Sequence, residues 1–150
     1  MNISFCQKLI PMPRKVSAVK GQLANWIWQG SLSIVVDAEN RQDLFAGQLL
    51  TDACKERHLP EPEIFPCGTP AEKRAKSNAE GKRIYIGDPT LFLPLGAIFK
   101  KENITALQNT GDQGYYIQVF PDRILVAGNS PTGVFYGVQT LIQLLPERAG

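Results

Sequence analysis

The sequence predicts an α+β domain, a mostly antiparallel or mixed β-sheet with two α-helices packed on one face. Two segments, after Asn40 and after Ser130, carry apolar residues at helical spacing. Two β-rich runs meet around Pro121-Asp122 as a hairpin, and further short β-rich runs lie upstream. Elements in the order strands, helix, strand, hairpin, helix describe a sheet covered by helices.

Along the chain, Ile10-Pro11-Met12-Pro13 reads as an extended lead-in, because each proline removes a donor and biases the residue before it away from helix. Val16 to Val36 is β-rich and holds two or three strands. The last of them, Ser31 to Val36, places Leu32, Ile34 and Val36 on one pleated face. Asp37 and Asn40 offer N-caps for a helix running to about His58, with Phe45, Ala46, Leu49, Leu50, Ala53 and Cys54 as its apolar stripe. Lys55, Arg57 and His58 complement the negative end of that helix dipole, and Pro60 and Pro62 end it.

Glu61 to Lys82 contains prolines, glycines and the charge run Glu72-Lys73-Arg74-Ala75-Lys76, with no sustained period; it reads as a surface excursion. Arg83 to Gly87 is a short strand ended by a Gly-Asp-Pro turn, and Thr90 to Gln108 is ambiguous. Tyr115 to Phe120 and Arg123 to Ala127 form the hairpin. Ser130 then caps a helix with Pro131 in its first position, where the missing donor costs nothing. Its stripe is Val134, Phe135, Val138, Leu141, Ile142 and Leu145, and Gly133 and Gly137 allow close approach along one edge.

The 150 residues suit one domain, and a net charge of +2 points to no nucleic-acid or membrane partner. Met1 to Ile10 has no apolar core of a signal peptide, which leaves localisation open, a secreted or periplasmic parent included. His58 is the single histidine, so mechanisms and metal sites needing two imidazoles are excluded. Of the three cysteines, Cys54 reads as a core residue and Cys67 as an inert loop thiol, and their spacing with Cys6 is not that of a zinc site. Neither the phosphate-binding nor the dinucleotide glycine pattern occurs. Asn103-Ile104-Thr105 matches a glycosylation acceptor, a pattern that also arises by chance. No catalytic, cofactor-binding or metal-ligating set emerges. Trp26 and Trp28, two apart on a strand, would share a face and could stack on sugar rings or pack against a neighbour.

The last forty residues carry a resemblance. Gly114-Tyr115-Tyr116-Ile117-Gln118-Val119-Phe120-Pro121-Asp122-Arg123-Ile124-Leu125-Val126 followed by Pro131-Thr132-Gly133-Val134-Phe135-Tyr136-Gly137-Val138-Gln139-Thr140-Leu141-Ile142-Gln143-Leu144-Leu145 resembles the N-terminal non-catalytic domain of family 20 glycoside hydrolases, the β-N-acetylhexosaminidases. The Ile10 to Pro13 opening and the step from Ser31 to Asp37 are also similar to that family, whereas Glu61 to Lys82 is not.

The resemblance implies a sheet with two helices on one face, preceding a (β/α)8 barrel that carries an Asp-Glu catalytic pair. In that barrel the Asp orients the 2-acetamido nucleophile of the substrate and the Glu is the acid and base. This chain has no Asp-Glu dipeptide, so no catalytic residue is carried over. The implied partner is the barrel of the same parent protein, with Tyr136, Thr140 and Leu144 as an interdomain face, unless they finish the domain's own core edge. The alternatives are an accessory domain of an α-glucuronidase or another hexosaminidase-like hydrolase, or a carbohydrate-binding module using Trp26 and Trp28.

Overall fold

A computed structural model describes residues 32–67, 82–108, 110–120 and 122–145. Its elements are β1 (Leu32–Asp37), α1 (Arg41–Glu56), β2 (Glu63–Cys67), β3 (Lys82–Gly87), α2 (Leu93–Lys101), β4 (Tyr115–Val119), β5 (Arg123–Gly128) and α3 (Pro131–Leu144). The strands form one sheet in the order β2-β1-β3-β5-β4. β1 pairs in parallel with β2 and β3, and β3 with β5, while β4 and β5 pair antiparallel. The sheet is therefore mixed, as expected, and its mostly parallel character follows from connections long enough to return each strand to the same end. Trp26 and Trp28, with Cys6 and the lead-in, lie outside the described residues.

Pleating divides the apolar side chains between two layers. Leu32, Ile34, Ile84, Ile86, Ile124 and Val126 pack against α1 and α3. Val35, Leu125 and Ala127 face Phe92, Leu95 and Phe99 of the α2 region. The two expected helices share one face of the sheet, and the ambiguous Thr90 to Gln108 segment supplies a third helix on the other. Its signal was faint because only Leu95 and Phe99, four apart, are buried along it. Phe99 meets Tyr116 of β4 edge-on, ring centroids 5.7 Å apart.

The excursion after Glu61 also differs from its reading. Glu63-Ile64-Phe65-Pro66-Cys67 is β2, in register with Ser33 to Asp37 of β1. Proline 66 hides it from a pattern-based reading, yet a proline is tolerated in the outermost strand of a sheet, where one side of the ladder is dispensable. Cys67 thus ends a strand and does not sit in a free loop.

The hairpin is realised with Ile117 opposite Val126 and Val119 opposite Ile124. At its mouth Arg123 bridges Glu102 at 3.1 Å and stacks over the Phe120 ring at 4.6 Å from the centroid.

Two helix faces are rotated from their expected positions. In α1 the buried residues are Asp43, Ala46, Gly47, Leu50, Thr51, Ala53 and Cys54, and Phe45 stands 59% exposed. At roughly 100° per residue, Phe45 lies about 160° from the centre of that arc. In α3 the buried arc runs through Gly133, Gly137, Thr140 and Leu144 as well as Val134, Val138 and Leu141. The helix turns its glycine edge to the hairpin because a Cβ at Gly137 would already come within 3.0 Å of Val126 Cγ1, a space only a glycine leaves free. Phe135 and Ile142, expected on the stripe, are consequently only half-buried.

Candidate functional site: the strand ends beneath two helix starts

Helices α1 and α3 both begin at the carboxyl ends of parallel strands, β1 and β5. Asn40 caps α1, its side-chain oxygen accepting from the Asp43 backbone N–H at 3.0 Å. Ser130 caps α3 in the same way through the Gly133 N–H at 3.3 Å, and its hydroxyl donates to the Asp112 carbonyl at 2.6 Å. Replacing Asn40 by alanine leaves one first-turn donor without its partner. The expected cost is about 1 kcal/mol, read as a lower urea midpoint at unchanged slope.

The first two turns of these helices wall a groove of about 430 Å³, lined by Arg41, Gln42 and Phe45 from α1 and by Pro131, Thr132, Phe135 and Tyr136 from α3. It is predominantly aromatic, and the Phe135 and Tyr136 rings are tilted against each other at 6.2 Å. Beside it, in the first turn of α1, Asp43 is only 2% exposed and its Oδ1 has no hydrogen-bond partner. Burial, and then the carboxylates of Asp37 at the end of β1 and Asp88 just after β3, push the Asp43 carboxyl from 3.8 up to about 7. Asp37 and Asp88 each spend one oxygen locally. Asp37 Oδ1 accepts from the Glu39 N–H at 3.0 Å, and Asp88 Oδ1 accepts from the Thr90 N–H and hydroxyl at 2.8 and 2.7 Å.

This acid trio was not singled out in the sequence. The signal was available, since Asp43 stands three and seven residues before Ala46 and Leu50 and so shares their face. What the sequence lacks is the meeting of Asp88, forty-five positions later, with that face.

The expected interdomain residues separate. Thr140 and Leu144 are buried inside the domain, at 0% and 1% exposure, and Thr140 donates a 3.0 Å hydrogen bond to the Tyr115 hydroxyl. Tyr136 alone of the three reaches the groove. The physical reason is the glycine-edge rotation of α3, which carries positions 140 and 144 onto the hairpin. Cys54 is fully buried, and desolvation holds its thiol up at about 11, which suits a core residue and not a nucleophile.

Together these features define a class: an α+β scaffold with an open aromatic groove on its helical face. Among the described residues, no acid and base converge on that groove. Residues 7–150 match the family described as glycosyl hydrolase family 20, domain 2, and the chain belongs to that family. No curated protein matches it. Among solved structures it is similar to a GH138 enzyme targeting pectin rhamnogalacturonan II, at 18% sequence identity and a TM-score of 0.45. That likeness covers 75% of this chain and 13% of the other.

Proposed function

We propose that this chain is the non-catalytic domain of a β-N-acetylhexosaminidase-like glycoside hydrolase and acts by packing its helical face against the catalytic barrel of the same parent protein. The observation that carries the reading is the aromatic groove. Phe45, Phe135 and Tyr136 form an apolar surface between two helix starts, and no described residue covers it. Phe45 at 59% exposure is poor economy for a free domain and good anchor chemistry for an interface core. Membership of family 20, domain 2, supports a barrel as the occupant.

A catalytic role for the chain itself would need two carboxyls flanking a sugar-sized cleft. Asp43 is the one described carboxyl held near neutral pH, and it is buried and absent from the groove lining. The isolated chain should therefore release no chromophore above background from a chromogenic N-acetylglucosaminide. Turnover that tracks the purified chain would refute the proposal. A parent carrying Phe45→Ser and Tyr136→Ser together should separate its two domains more readily under limited proteolysis, and unchanged cleavage would remove the groove from the interface.

A further inference from the structure

We infer that the pocket formed by Asp37, Asp43 and Asp88 is the seat of a basic side chain, an arginine or lysine, contributed by the catalytic domain. This rests on the docking proposed above and adds to it the polar contact that would set its register. Three carboxylates arrive from three elements, the end of β1, the first turn of α1 and the turn after β3. No lysine or arginine among the described residues forms an ion pair with any of them; the described ion pairs are those of Arg123, with Glu102 and Asp122.

The pocket also holds a polar atom awaiting a donor. Asp43 Oδ1 is shielded from water and unbonded, which costs a buried acceptor its full desolvation. The α1 N-terminus offsets part of the negative charge, but the Asp43 backbone N–H is already committed to Asn40.

Among the described residues no group of three acidic, histidine or cysteine side chains is arranged to hold a metal ion. A guanidinium or ammonium is less demanding. It spreads several N–H donors over carboxylates that do not converge on one point. The pocket adjoins the groove, because Arg41 and Gln42 line the groove and Asp43 follows them in the same helical turn. An apolar groove with an unpaired acidic pocket at its margin matches an incoming surface of aromatic or aliphatic anchors with one cation beside them.

The test compares the chain alone with the full-length parent, in hydrogen exchange and in the titration of the Asp43 carboxyl followed by carbon NMR. Docking predicts protection of residues 41–45 and 131–136 in the parent. The cation seat predicts that the Asp43 midpoint, near 7 in the chain alone, drops by two pH units or more in the parent. It also predicts that Asp43→Asn speeds proteolytic separation of the parent's domains on the order of tenfold. Protection with a midpoint still near 7 would overturn the cation seat while the docking stands. No protection would overturn both.

Discussion

Gly133→Ala is expected to cost about 2–3 kcal/mol of stability, a loss of roughly 5–10 °C in melting temperature for a chain of this length. Helix propensity alone argues the opposite, since alanine gains about 1 kcal/mol over glycine within a helix. Packing decides the sign. A Cβ at position 133 would fall inside van der Waals contact of the Gly114 carbonyl oxygen and 3.1 Å from the Asp112 carbonyl oxygen. Both are main-chain atoms at the entry to β4, and the Asp112 carbonyl also accepts from the Ser130 cap. Neither can move without opening the capped helix start or the hairpin.

Gly137→Ala provides the contrast. Its Cβ would meet a Val126 methyl at 3.0 Å and Tyr115 Cβ at 3.4 Å, of which the valine side chain can rotate, so its loss should be no more than about 1 kcal/mol. Urea unfolding of the two variants measures the difference. Equal losses would show that the glycine edge matters as a whole and that the Gly114 contact has no special weight.

The second large effect has the opposite direction. Asp43→Asn should stabilise the isolated chain at pH 8 on the order of 2 kcal/mol and leave it nearly unchanged at pH 4. The folded carboxyl titrates near 7, above the 3.8 of a free aspartate, so the ionised form is what the fold penalises. Below about pH 4 the carboxyl is protonated in both folded and unfolded chains and the penalty is absent. Between about 4 and 7 the folded chain binds more protons than the unfolded one, and stability falls as pH rises. Above 7 the loss is complete and flat.

The displacement of the titration sets a ceiling of about 4 kcal/mol, which solvent screening near the pocket and the poorly satisfied asparagine amide reduce by about half. Urea midpoints of wild type and variant at pH 4, 6 and 8 should diverge progressively. Parallel curves would mean that Asp43 finds a partner in solution.

Much of this architecture was legible before the structure. Ser130-Pro131 with the stripe through Val138 and Leu141 announces α3, because a capped start and a 3.6-residue apolar period leave few other solutions. Asn40 announces α1, and the runs flanking Pro121-Asp122 announce the hairpin. Local rules governed these elements, and local rules are written in neighbouring residues.

Three features escaped for one shared reason. β2 contains a proline whose tolerance depends on being the outermost strand, and that position is a property of the sheet. Helix α2 shows two buried residues because the second core it covers is built mostly by other segments. The azimuth of α3 depends on where Val126 and Tyr115 stand relative to Gly137. Each requires knowing what lies opposite, information carried by residues far away in the chain.

The sequence by itself therefore determined the mixed α+β class, the two capped helices and the hairpin, and it carried the family resemblance in its last forty residues. Only the tertiary structure decided which way the helices face, that Thr140 and Leu144 turn inward while Phe45 and Tyr136 meet at a groove, and that Asp37, Asp43 and Asp88 share a pocket. The division has a physical basis. Element type is set by backbone preference and period over a few residues, whereas a face, a groove or a charged pocket exists only once separate elements are brought together and exclude water between them.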